Sequence, residues 1–196
     1  MSQKTESELL FEQFCFDNEL SWRPYGEEKH RTPDYRVSFD DVAICVELKQ
    51  IESRRGMEES GRMTRVVGDR IRREITKATE QVQEGARAGF PTLLLVYNAV
   101  DPLQAFGTEP HDFMCAMYGE LTVRIVDGTA GDSYHGRNAR LRDGVNTSFS
   151  AIGHLRNAKS GPKLTIYENV YARCPLPYAA LPACIEVVRV EVRDAT

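Results

Sequence analysis

The sequence predicts a mixed α/β (α+β) fold, in which helices flank a mixed central sheet and the C-terminal part is rich in strands. Two patterns carry this prediction. Apolar and polar residues alternate over 34–49, as expected for a β-hairpin with one buried face. Over 66–87 apolar residues recur every three or four positions, which indicates an amphipathic helix, and the apolar run TLLLVY follows as a buried strand.

Shorter patterns predict the other elements. The order strand, helix, strand from Val42 to Tyr97 indicates a right-handed crossover. A chain of 196 residues fits one domain, with a core over about 5–127 and a β-rich extension over about 128–196. The remaining predictions, in chain order, are a helix over 5–20, a strand beginning at 22–24, a loop over 51–65, a helix over 112–118, a strand over 121–126, a loop over 127–147, and strands near 148–155, 163–168 and 184–192.

The composition is typical of a globular protein, with 41% hydrophobic and 28% charged residues. No apolar run approaches the roughly 18 residues that a membrane span needs, and the N-terminal segment has no apolar signal-peptide region. The five cysteines form no CxxC pair, which argues against a disulfide framework and a structural zinc site. We therefore expect a cytoplasmic protein without a membrane partner.

Charge is unevenly distributed along the chain. The net charge of −4 does not by itself indicate a nucleic-acid partner. The stretch 135–163, however, carries six Lys and Arg residues, Arg137 and Arg140 among them, against the single acid Asp143. This asymmetry is compatible with a phosphate-binding face and equally with a solvated surface loop.

The hairpin pattern brings two acids together. A tight turn at Asp40-Asp41 makes the numbers of paired residues sum to 81, so Asp34 lies opposite Glu47. Lys49 is two residues further along the strand and points to the same face. Adjacent carboxylates repel each other, and a divalent cation held by one or two carboxylates would offset that repulsion.

The residues Pro33-Asp34 and Glu47-Leu48-Lys49 resemble the core motif of the PD-(D/E)XK nuclease superfamily. The resemblance implies a restriction-endonuclease-like fold and a metal-dependent nuclease that hydrolyses phosphodiester bonds. It assigns the metal to the two carboxylates and the Leu48 carbonyl, and it assigns Lys49 to the attacking water. We expect Mg²⁺, which Mn²⁺ can replace, and DNA in preference to RNA.

Residues outside the hairpin extend the resemblance. Glu8-Leu9-Leu10-Phe11 is similar to the setting of a helix glutamate that completes the metal site in many members of the superfamily, and Glu12 competes for that role one turn later. Some members also carry a Gln followed four residues later by Tyr; here Gln81 is present, but position 85 is Gly. The residues predicted to contact substrate are Arg36, Arg73, Lys77, Gln81, Arg137 and Arg140.

Three alternatives remain open. The hairpin can be an edge hairpin that carries ordinary solvent-facing charges. The fold can also be a catalytically inactive module that binds nucleic acid or a protein partner. Finally, a small nuclease of this type can work in restriction, repair or phage defence, as a homodimer or with a partner subunit.

Overall fold

The computed structural model describes residues 4–26, 32–39, 42–52 and 65–191. In this part of the chain three α-helices accompany a large mixed sheet, which is an α+β architecture. The elements are α1 (Glu6–Asp17), β1 (Ser21–Pro24), β2 (Tyr35–Phe39), β3 (Val42–Ile51), α2 (Asp69–Arg87), β4 (Thr92–Asn98), α3 (Pro110–Tyr118), β5 (Leu121–Val126), β6 (Thr129–His135), β7 (Ala151–Ala158), β8 (Gly161–Glu168), a 3₁₀ turn (Tyr178–Ala180) and β9 (Ile185–Val188).

Seven strands form the main sheet in the order β1-β2-β3-β4-β7-β8-β9. The first three strands are antiparallel, β4 runs parallel to both β3 and β7, and β8 runs antiparallel to β7 and parallel to β9. The parallel pairing of β3 with β4 agrees with the predicted crossover, because parallel strands need a long connection, which α2 provides here. The C-terminal strands β7 to β9 continue this one sheet.

The predicted register of the hairpin is confirmed. Tyr35 pairs with Val46 and Phe39 pairs with Val42, so that paired numbers sum to 81. The predicted turn at 40–41 lies outside the described residues, as do 53–64 of the predicted loop 51–65. A register error of one residue would have moved every apolar side chain of the hairpin to the opposite face, so burial fixes this pairing.

Helices cover the sheet on both faces. The helix α1 packs against the even-numbered apolar residues of β3, such as Val46 and Leu48, in one buried cluster. The helices α2 and α3 pack on the opposite face in a second cluster, with Leu94 and Ile152 of the sheet. Successive strand residues point to opposite faces, so the odd-numbered residues of β3, including Glu47, face the side of α2.

The prediction of a loop over 127–147 is wrong for its first part. Residues Thr129–His135 form β6, which pairs with β5 as a separate two-stranded ribbon. Both strands of the ribbon are largely exposed, so β6 has no buried face and shows no apolar alternation. The sequence signal for this turn is the dipeptide Asp127-Gly128. In the structure both residues have positive φ (49° and 77°), as a type I′ hairpin turn requires.

Candidate active site

The site is built where β2 begins beside the middle of β3. Cys45 donates its backbone N–H to the carbonyl of Pro91 on the β4 side, at 2.9 Å. Because backbone groups alternate in direction along a strand, the N–H and C=O of Leu48 point to the opposite edge, toward β2. There the Leu48 N–H meets the carboxylate of Asp34, with 2.7 Å between N and Oδ2.

The structure brings Asp34, Glu47 and Lys49 together. Glu47 is only 2% exposed, and the Lys49 ammonium donates to its Oε1. The other carboxylate oxygen of Glu47, Oε2, is buried and has no hydrogen-bond partner among the described residues. The site therefore has one cation that is 20% exposed, two neighbouring carboxylates and one buried oxygen without a partner among the described residues.

Burial governs the electrostatics of both acids. It raises the pKa of Glu47 to about 8, and the nearby negative charge of Asp34 raises that pKa further against the opposing effect of Lys49. Burial also raises the pKa of Asp34, although the Leu48 hydrogen bond and the Lys49 charge oppose the increase. A cation placed between the two carboxylates would favour their ionised forms.

These groups fit a divalent cation. Mg²⁺ is commonly held by one or two carboxylates while it keeps several waters, so a complete cage of protein ligands is not required. Asp34 and Glu47 would supply the carboxylates, and the Leu48 carbonyl points to the same strand edge as Asp34. Within the described ranges, no three His, Cys, Asp or Glu side chains lie close enough together to hold a metal.

Glu8 lies near the site but is engaged elsewhere. Its carboxylate accepts hydrogen bonds from the backbone N–H and the hydroxyl of Thr5, at 2.6 and 2.8 Å, in the capping box of α1. Its charge contributes to the raised pKa of Asp34, so the two groups lie within electrostatic range. The competing acid Glu12 accepts from Tyr35 at 2.8 Å and pairs with Lys4. The α1 helix therefore adds negative potential near Asp34, and the role of Glu8 as a metal ligand stays a prediction.

Gly85 allows α2 to lie close to the hairpin. A Cβ atom at this position would come within 3.0 Å of the Cys45 side chain and 3.1 Å of the Pro33 ring. A Tyr at this position would not fit this packing. Gln81 is one turn earlier and therefore lies on the same face of α2, toward β3. Lys77 instead pairs with Glu74, at 2.8 Å.

The arginines predicted to contact substrate lie on three different parts of the fold: β2, α2 and the segment after β6. Arg36 is held over the rings of Phe90 and Tyr25, with its guanidinium 4.0 and 5.2 Å from their centroids. Arg73 pairs with Asp69 one turn earlier on α2. The exposed residues Arg137 and Arg140 follow the ribbon, and their backbone groups bond to Glu120 and Ala116.

Glu74 is a buried acid that the sequence pattern did not predict. Glu74 is 5% exposed, and its Oε2 has no hydrogen-bond partner in the described part of the chain. It lies on α2 at the spacing of Ala78, Gln81 and Gly85, which is the face directed toward β3. Helical periodicity places Glu74 beside the polar residues Arg73 and Lys77, and nothing in that pattern distinguishes a buried glutamate from a solvated one.

None of the helices in the described ranges combines the length and the apolar character needed to span a bilayer. Comparisons of the chain with protein-family models, with curated proteins and with solved structures find no match. The geometry of the site is therefore the basis for the functional proposal.

Proposed function

We propose that this protein is a Mg²⁺-dependent nuclease that hydrolyses phosphodiester bonds in DNA. The observation that carries the proposal is the buried Glu47 carboxylate, which lies beside Asp34 with its Oε2 unpartnered among the described residues. Buried acids with raised pKa values are costly to keep and are concentrated at functional sites. A divalent cation offsets that cost and gives the pair a chemical role.

The acids and Lys49 have different proposed roles. Asp34 and Glu47, with the Leu48 carbonyl, would hold the cation, and Mn²⁺ would replace Mg²⁺ with the same oxygen ligands. When bound, the cation would supply charge stabilisation to the phosphoryl oxygens and would lower the pKa of its water. Lys49 donates to Glu47 and would orient the attacking water or stabilise the developing negative charge.

The topology supports a restriction-endonuclease-like core within this proposal. The helix α1, the antiparallel strands β1 to β3, the helix α2 and the parallel strand β4 follow one another along the chain. Asp34 precedes the second of these strands, while Glu47 and Lys49 lie on the third. This order brings the acids and the lysine of the motif to neighbouring strands of one sheet, beside α1 and α2.

Two exposed arginines support DNA as the proposed substrate. Arg137 and Arg140 are exposed, and neither forms an ion pair with another described residue. Such groups bind a phosphate backbone through counterion release, and their contribution weakens as salt increases. A partner subunit or a second copy of the chain would complete the binding surface in a restriction, repair or defence system.

The test is cleavage of plasmid DNA, linear duplex DNA and an RNA of matching sequence, with Mg²⁺, with Mn²⁺ and with EDTA. We expect cleavage of DNA that requires the metal and is lost in Glu47→Gln. Lys159→Gln, which changes an exposed residue in the turn after β7, is the matched control and should cleave normally. Metal-dependent cleavage that survives Glu47→Gln would remove this site from the reaction.

An inactive nucleic-acid-binding module is the second candidate. It is favoured by the ion pair between Lys49 and Glu47 and by the fact that no cluster of three metal-ligating side chains lies in the described ranges. Calorimetric titration of Mg²⁺ and Mn²⁺ separates the candidates. DNA binding without metal binding would favour the module, and metal binding that Asp34→Asn removes would favour the nuclease.

A further inference from the structure

The ribbon of β5 and β6 carries most of the exposed apolar side chains of the described ranges. Five of the nine large apolar side chains that are exposed there lie on the ribbon, namely Leu121, Val123, Ile125, Val126 and Tyr134. Ile125 is 70% exposed and Leu121 is 52% exposed. Single exposed apolar side chains need no explanation, but a group of them on one element indicates a surface that binds another molecule.

The ribbon lacks the support that a small sheet normally has. Its two strands pair only with each other, and every residue in them except Thr122 is exposed. A two-stranded hairpin is at best marginally stable in water, whereas three or more strands with an apolar face are stable on their own. A further strand that pairs along one edge of the ribbon would supply the missing support.

The edge of β6 is protected against such pairing. Val123 pairs with Ser133 and Ile125 pairs with Ala130, so β6 has one more residue than β5 between these two pairs. The extra residue forms a bulge at Gly131-Asp132. Bulges and charged residues are common means by which natural sheets prevent an open edge from pairing with another chain.

The edge of β5 has neither a bulge nor an acid. Its six residues, Leu121–Val126, include no Gly or Pro, and four of them are β-branched. In the part of the chain that the structure describes, no strand pairs with this edge. An exposed, apolar edge of this kind is a template for another strand. The acids Asp127 and Asp132 of the ribbon disfavour a nucleic-acid backbone as the occupant.

A second copy of β5 matches this edge. Two copies related by a two-fold axis present the same surface to each other, and strands that meet across such an axis are antiparallel. With the axis at Val123, residues 121–125 of the two copies pair, and Leu121 of each copy lies opposite Ile125 of the other. Arg124 then lies opposite Thr122, so no like charges face each other.

Charge and strand length select this register over its neighbours. A shift of the axis to Arg124 would place two guanidinium groups opposite each other, which destabilises a strand pair. A shift to Thr122 would pair only residues 121–123 within the two strands and would leave Ile125 without an apolar partner. Intermediate registers are excluded because a slip by one residue turns the apolar side chains to the opposite face.

The selected register joins two apolar stripes. Leu121, Val123 and Ile125 alternate along β5 and point to one face of the ribbon. The same residues of the second copy continue that face across four strands, which is the size of sheet that the ribbon alone lacks. One short strand from each copy covers less than the roughly 800 Å² per partner of a standard interface, so we expect a weak dimer.

We propose that the protein forms a homodimer in which β5 pairs antiparallel with β5 of a second copy, with Val123 of both copies on the two-fold axis. This interface does not depend on the nuclease proposal, because no residue of the ribbon belongs to the acid pair on β2 and β3.

Sedimentation equilibrium of the full chain measures the association. We expect a reversible dimer with a Kd below about 100 µM. Val123→Lys places two ammonium groups on the axis and should weaken association by about tenfold or more. Val66→Lys is the matched control, because Val66 is 64% exposed and lies outside the ribbon, and it should leave the Kd unchanged. Val123 is 46% exposed, so its replacement should not prevent folding.

Cysteine cross-linking tests the register. Under oxidised glutathione, Val123→Cys should form a disulfide between two copies, since the two thiols meet at the axis. Val126→Cys lies on the same strand, but its two copies would be about 20 Å apart at about 3.3 Å per residue, so it should not cross-link. Three results would overturn the proposal: a monomer at about 500 µM, undiminished association of Val123→Lys, or equal cross-linking of the two cysteine variants.

Discussion

The carboxylate of Asp34 accepts the backbone N–H of Leu48, with 2.7 Å between Oδ2 and N. This bond takes the place of the next ladder bond beyond the start of β2, because Tyr35 is the first residue of β2 to pair with β3. It also fixes the carboxylate beside Glu47. Asp34 therefore has a structural role through one oxygen and a proposed chemical role through its charge.

Substitution of Asp34 separates these roles. Asp34→Asn keeps an oxygen for the Leu48 N–H and removes the repulsion with Glu47, so its free energy of unfolding should equal or exceed that of the wild type. Asp34→Ala leaves the N–H without its partner and should lose about 1–2 kcal/mol. Both variants should lose the proposed nuclease activity by about 100-fold or more, because the charge is absent. Urea unfolding and DNA cleavage rates measure the two effects. A variant Asp34→Asn that is as unstable as Asp34→Ala would show that the hydrogen bond is not the structural contribution.

Removal of the Lys49 ammonium should leave Glu47 as an uncompensated buried acid. We expect Lys49→Met to lower the free energy of unfolding by about 3 kcal/mol at pH 9, where Glu47 is ionised in the wild type. At pH 5 the loss should be much smaller, because Glu47 is protonated in the folded state at that pH. The matched control is Arg87→Met, which breaks an exposed pair with Glu84 and should change stability by less than about 0.5 kcal/mol. An equal loss at both pH values would contradict the assigned ionisation of Glu47.

The pH dependence of stability follows from the raised pKa of Glu47. Between the ordinary value of 4.5 and about 8, the folded protein binds a proton that the unfolded chain has released. Stability should therefore fall as the pH rises through this window, by a few kcal/mol from this group in EDTA, and level off above it. Glu47→Gln should flatten the curve, and Mg²⁺ should also flatten it by favouring the ionised form. Thermal unfolding from pH 5 to 9 provides the measurement. A wild-type profile parallel to that of Glu47→Gln would contradict the prediction.

Two adjacent arginines of α2 should behave differently. Arg72 is 6% exposed and donates to the carbonyls of Val67 and Cys115, at 2.8 and 2.9 Å, so that it ties α2 to α3. Arg72→Met should cost about 2–4 kcal/mol, because these buried carbonyls lose charged donors. Arg73→Met removes only a half-exposed pair with Asp69 and should cost less than about 0.5 kcal/mol. Chemical denaturation compares them, and equal losses would contradict the structural assignment of Arg72.

The hairpin could be predicted because one face of each strand is strongly apolar and because burial penalises any other register. That pattern was enough to place Asp34 opposite Glu47. The strand β6 could not be predicted in this way, since an exposed ribbon leaves no apolar alternation in the sequence. The sequence places His154 and Tyr167 near the C-terminal strands but indicates neither their burial nor the cavity that they line. The same holds for Glu74 and Arg72 on α2. Helical periodicity predicts which face of the helix is buried, but it does not predict the hydrogen-bond partners of a charged residue beside that face.

We propose that the protein hydrolyses phosphodiester bonds in DNA at a site formed by Asp34, Glu47 and Lys49 with a divalent cation. The most direct measurement is the rate of DNA cleavage by the wild type and by Glu47→Gln, each with Mg²⁺, with Mn²⁺ and with EDTA, after folding of both proteins is verified. The proposal predicts metal-dependent cleavage by the wild type and a loss of about 100-fold or more in Glu47→Gln. Equal cleavage by the two proteins, or cleavage that persists in EDTA, would contradict it.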